Sequence, residues 1–141
     1  MEEKRDKNIE AIAKIIELTR ANSLKWHSVN NLDVQKKSND IISYVFSTSY
    51  KKKILRIFKR QYQGRYQDIN TLAIFARIAS PISASKKSEL RWYEEVILEL
   101  VDGKGTSLWA FPKEDILNDL LKTIKYKVSG ADDLINSLLE E

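Results

Sequence analysis

Apolar positions along the chain fall at helical spacing first, then alternate, then return to helical spacing. Ile9, Ile12, Ala13, Ile16 and Thr19 form one stripe, with Glu10, Lys14, Glu17 and Arg20 on the opposite face, which predicts an amphipathic N-terminal helix. Asp6 or Asn8 can cap its start, and Asn22 can take the left-handed stop that glycine usually fills. Leu24 and Trp26 lie two apart, as at the start of an extended segment, and the polar residues 27–40 read as a loop. From residue 41 the composition changes: IISYVFSTSY (41–50) is β-branched and aromatic, as a half-buried strand requires. KILRIFKRQY (53–62) fits a second strand across a polar hairpin connection at Ser49–Lys53, although its apolar spacing also fits a helix, and Gly64 is expected to end it. TLAIFARIA (71–79) is a third β-like segment whose alanine and leucine also suit a helix, and 81–89 reads as a loop. LRWYEEVILELVD (90–102) sets Trp92, Val96, Leu98 and Leu100 on one face and Glu95 and Glu99 on the other; Asp102-Gly103 opens a turn into a return strand over 106–111.

Pro112, Glu114 and Asp115 suit a helix's first turn. Ile116, Leu117, Leu120, Leu121, Ile124 and Val128 make the apolar stripe that follows, with lysines at 122, 125 and 127 near its end. Ser129-Gly130-Ala131-Asp132 matches a variant capping box for a last short helix bearing Leu134, Ile135, Leu138 and Leu139. Strands grouped between helices indicate an α+β fold. The expected architecture is an N-terminal helix, an antiparallel meander of about four to five strands, and two C-terminal helices packed on one sheet face. Within it, the helix at 113–128 should lay Ile116, Leu120, Ile124 and Val128 on the face carrying Trp92, Val96 and Leu98.

A chain of 141 residues points to one domain spanning 1–141, large enough to bury a core without staples. With 43% hydrophobic and 31% charged residues, it is too apolar for intrinsic disorder. The absence of cysteine removes disulfides, thiolate metal sites and cysteine nucleophiles, and fits a reducing cytoplasm. No signal-peptide core and no apolar run of membrane-spanning length occurs, so the expectation is a cytoplasmic protein without a membrane partner. The net charge of +4 is unevenly spread: +1 over residues 1–40, +9 over 41–88 and −6 over 89–141. A basic middle beside an acidic end suits either an anionic partner or two strands that neutralise each other across a sheet.

Two stretches carry a resemblance. ELTRANSLKW (17–26) resembles the "helix, Thr, small polar, Leu-x-Trp" opening of short bacterial proteins of similar length. DLLKTIKYKVSGADDLINSLLEE (119–141) is similar to their closing "leucine pair, basic-aromatic, Gly-x-Asp-Asp, leucine pair". These proteins share a plan of helix, strand meander and helices, so the resemblance implies a fold. Its motifs are apolar and capping residues and imply no activity, cofactor or catalytic site. The chain departs from them in its more basic 50–67 and its longer loop at 79–89.

Catalytic chemistry finds little to work with. His27 is the only histidine and stands beside no nucleophile motif, so it reads as a surface or half-buried residue, and one histidine does not make a zinc site. Glu95 and Glu99 share a strand face but stand about 13 Å apart along it, too far for a glycosidase pair. Asp132 and Asp133 are accounted for at a helix start, and no glycine loop cradles phosphate. The expectation is a protein that is not an enzyme and uses no cofactor.

The stretch YKKKILRIFKRQYQGRYQ (50–67) is the one candidate binding surface, through Lys52, Arg56, Phe58, Arg60 and Tyr62. As a strand it places Ile54, Arg56, Phe58, Arg60 and Tyr62 on one face, and single-stranded nucleic acid binders use such arginines and aromatics for phosphate contact and stacking. An internal reading is equally physical: the arginines can lie over aromatic rings and pair with Glu95 or Glu99 of another strand. The function expected first is a protein-binding module without enzymatic activity, its partner another protein or a second copy of itself. Its motive is a surplus of aromatics (Trp26, Trp92, Trp109, Tyr93, Phe111), which are enriched at interfaces; all three tryptophans also fit a core. The alternative is nucleic-acid binding through the basic strand.

Overall fold

The computed structural model describes residues 2–30, 39–65 and 90–141. Among these residues, helix α1 (Glu2–Arg20) is followed by five strands: β1 (His27–Ser28), β2 (Ile41–Tyr50), β3 (Lys53–Arg65), β4 (Leu90–Val101) and β5 (Ser107–Ala110). Helices α2 (Ile116–Ser129) and α3 (Ala131–Glu140) close the chain. All neighbouring strands are antiparallel, in the order β1-β2-β3-β4-β5. The fold is α+β. The segment 71–79, read as a third strand, and the loop 81–89 lie outside the described residues.

α1 begins earlier than its capping signals suggest, so Asp6 and Asn8 lie inside the helix; the polar residues around them have adequate helix propensity. Its end follows the sequence. Asn22 adopts φ 61°, while the Ser23 and Asn22 amides donate to the Leu18 and Thr19 carbonyls at 2.9 and 3.1 Å, the paired bonds of a Schellman stop. Thr19, 1% exposed, gives its hydroxyl to the Ile15 carbonyl (2.7 Å) and accepts the Trp26 indole N–H (3.0 Å). This bond ties the leading edge of the sheet to the helix and leaves neither the Thr19 hydroxyl nor the Trp26 indole N–H orphaned.

β2 and β3 are joined by two residues, Lys51 and Lys52, with φ 48° and 68°. Positive φ at both positions is the twist that two-residue hairpins demand, normally supplied by Asn-Gly. β3 does not stop at Gly64 but continues to Arg65, paired with β4 from Ile54↔Val101 to Arg65↔Leu90. A Cβ at Gly64 would lie 3.0 Å from the Tyr93 ring, so this glycine admits an aromatic neighbour instead of ending the strand. In β2, the register shifts between Ser43 and Phe46, and Tyr44 takes φ 55°. The bulge changes the phase of the strand: Ile42 and Val45 both join the small cluster with Phe58, while Phe46 joins the main core.

That main core lies between the sheet and the pair α1–α2. Leu55, Ile57, Val96 and Leu98 form its sheet side, and Ile12, Ile16, Leu117, Leu120, Leu121 and Ile124 its helix side. α2 docks on Val96 and Leu98 as expected, but its buried stripe is Leu117, Leu120, Leu121 and Ile124. Ile116 is only partly buried, while Val128 and Trp92 are 38% and 54% exposed. The rotation follows from α1, which shares the same sheet face and takes a second side of α2. Pro112 precedes α2 by four residues and forms the corner before it, not its first turn.

Ser129 is not the cap of a new helix. α2 runs through it, and Gly130, at φ 74°, is at once the left-handed end of α2 and the entry to α3. α3 then departs from the expected packing on the sheet, since none of its residues is buried.

Candidate protein-docking surface

β3 carries the sequence-predicted site on the sheet face away from α1 and α2. Arg56, Phe58, Arg60 and Tyr62 alternate along it and stand opposite Glu99, Ile97, Glu95 and Tyr93. Arg56 is 4% exposed. Its Nε and Nη2 reach Glu99 Oε1 at 2.8 and 2.6 Å, and Nη1 donates to the Gly105 carbonyl at 2.9 Å. That last bond fastens the β4–β5 turn, whose own geometry comes from the Lys104 and Thr106 amides donating to Asp102 Oδ1 at 2.9 Å each.

Arg60 donates to Asp40 Oδ2 (2.7 Å) and Glu95 Oε1 (2.8 Å), with its guanidinium 4.5 Å from the centre of the Tyr62 ring. The Asp40 hydrogen bond holds Arg60 above its ordinary pKa; partial burial opposes this and the Glu95 bond adds to it. Lys59, on the opposite side of the strand, pairs with Glu94 at 2.7 Å. Phe58 is 4% exposed within its cluster, and Tyr62 stacks on Tyr93 at 5.7 Å. Of the five candidate residues, four therefore share one face, and Lys52 alone stands at the exposed hairpin tip. Arg56 and Arg60 are spent on Glu99, Asp40, Glu95 and a turn carbonyl.

The aromatic surplus divides. Trp26 is buried, whereas Trp92 and Trp109 are exposed. Trp109 lies edge-on against Phe111 at 4.7 Å, and its strand neighbour Leu108 is 66% exposed.

Among the described elements, α3 carries the largest apolar display. Leu134, Ile135, Leu138 and Leu139 are 62%, 45%, 64% and 79% exposed. With Ala131, the first three follow i, i+3, i+4, i+7 spacing, the pattern by which a helix presents anchors to a groove. Acids flank the stripe: Asp132 and Asp133 at its start, Glu140 and Glu141 at its end. The helix is aimed by contacts at its first turn. Tyr126 donates its hydroxyl to Asp132 Oδ1 at 2.5 Å, and Lys127 Nζ lies 3.2 Å from Asp132 Oδ2. These bonds, Tyr126 first, pull the Asp132 carboxyl below its ordinary range, and the same bond raises the Tyr126 phenol. A ten-residue helix is marginal on its own in water, so exposed leucines on so short a helix call for a surface to cover them. The sequence shows this stripe plainly; it does not show that the stripe stays exposed beside the described residues.

His27 is exposed on β1. Among the described residues no group of three His, Cys, Asp or Glu side chains could hold a metal ion, and no helix is long and apolar enough to cross a membrane. Comparison with family models, with curated proteins and with solved structures finds no match.

Proposed function

We propose that the protein is a non-enzymatic protein-binding module that docks through α3. The observation that carries this reading is the exposed Leu134–Ile135–Leu138–Leu139 stripe on a helix with no buried residue. Burying such anchors in a partner groove removes apolar area from water at about 25 cal/mol per Å², and the acidic flanks give the contact a charge signature. The basic strand supports nucleic-acid binding less well, because Arg56 and Arg60 are engaged by carboxylates and Arg56 and Phe58 are buried.

Affinity capture from the native cell, with wild-type protein and a Leu134→Gln/Leu138→Gln variant as baits, tests the reading. Glutamine keeps helix propensity near that of leucine while removing the apolar anchor. The reading expects proteins retained by the wild type and lost with the variant. Equal retention by both baits would remove α3 as the docking element.

A further inference from the structure

A groove of about 850 Å³ runs between α1 and α2. Ile16, Ile116 and the Tyr126 ring supply apolar lining, and Arg20, Lys122 and Lys127 supply positive charge. Two carboxylates also line it: Asp119, and Asp132 at the base of α3, which Lys127 and Tyr126 already hold. With the Lys127–Asp132 pair set aside, Arg20 and Lys122 outweigh Asp119 and leave one positive charge to face an incoming anion.

Three observations make α3 of a second copy the occupant. First, the charges are opposed. Arg20, Lys122 and Lys127 against Asp119 and Asp132 give the groove lining a net +1, while 131–141 of the incoming copy carry four acids and no base, a net −4; such complementarity steers encounter and fixes register. Second, the lengths agree. The groove follows α2 from Ile116 to Lys127, roughly 16 Å at 1.5 Å per residue, and the ten residues of α3 span about 15 Å. Third, α3 leaves from the edge of its own groove at Asp132, so the twofold operation that seats one α3 on a partner seats the partner's α3 in return. That closes the assembly at two copies.

We propose that the protein forms a twofold dimer by exchanging α3, each helix lying in the other chain's α1–α2 groove with Glu140 and Glu141 near Arg20 and Lys122. This rests on the docking role of α3 and names its partner.

Sedimentation velocity over a concentration series tests it with three variants: Arg20→Glu/Lys122→Glu, Glu140→Lys/Glu141→Lys, and the two combined. The proposal expects a monomer–dimer equilibrium in the wild type, at least tenfold weaker in either charge-reversed variant and restored toward wild type in the combination. All four sites are exposed, and unchanged circular dichroism verifies the fold of each variant. A wild type that stays monomeric at ~100 μM, where even a weak specific interface would associate, overturns the proposal, as does a dimer indifferent to these charges. Capture that is still lost with Leu134→Gln/Leu138→Gln would, in either case, leave the docking role standing and refute only its partner.

Discussion

Replacing Arg56 by Met removes the fork that neutralises Glu99. Both side chains are about 5–7% exposed, so the variant leaves a carboxylate buried without its cation and the Gly105 carbonyl without its donor. Breaking a buried pair on one side costs about 3–5 kcal/mol, whereas replacing both partners with apolar side chains of similar volume is often neutral or stabilising. For a urea dependence of about 2 kcal/mol per M, the single variant should unfold at a midpoint lowered by roughly 1.5–2.5 M. Adding Glu99→Leu should return the midpoint to within about 0.5 M of wild type, since no charge then remains to be compensated. Equilibrium urea unfolding followed by circular dichroism reads both. A loss below about 1 kcal/mol for Arg56→Met, or no recovery on adding Glu99→Leu, would refute the claim that Arg56 and Glu99 neutralise each other within the sheet.

Leu120→Ala should cost about 2–5 kcal/mol, because Leu120 is fully buried between α2 and the sheet. Lys122→Ala, exposed on α2, should cost under about 0.5 kcal/mol in the same denaturation assay at concentrations below association. Lys51→Asn/Lys52→Gly should raise stability by on the order of 1 kcal/mol, because it supplies residues suited to the positive φ angles that the lysines hold at a steric cost. Asp132 has a folded-state pKa below its ordinary 3.8, so its contribution at the α2–α3 junction is present above that value and lost as pH falls through the lower folded one. Tyr126→Phe should move the carboxyl pKa upward in an NMR titration, and an unchanged value would remove the Tyr126 bond as its cause.

The sequence discloses what depends on local chemistry. Alternation places Arg56, Phe58, Arg60 and Tyr62 on one face, and Asn22 marks its helix end because a short polar side chain tolerates left-handed backbone. Glu95 and Glu99 are visible as the arginines' complement, yet pairing them needs the β3–β4 register, which is set over the whole strand pair. The Tyr44 bulge has no composition signal, since tyrosine is an unfavourable residue for φ 55°; only the joint burial of Ile42 and Val45 with Phe58 explains it. Gly64 reads as a terminator because the Tyr93 ring that needs its space lies on another strand. The stripe of α3 has the same form whether its cover is the chain's own sheet or another molecule. Gly130, at φ 74°, turns the helix so that none of its residues is buried.

Urea denaturation of Leu134→Gln/Leu138→Gln at protein concentrations below any association tests the central claim most directly. If the α3 stripe has no counter-surface within the chain, the variant should match the wild type to within about 0.5 kcal/mol, the range of surface substitutions. A loss of 2 kcal/mol or more, the scale of burying leucine side chains, would show that the chain itself covers the stripe and that α3 is part of the core.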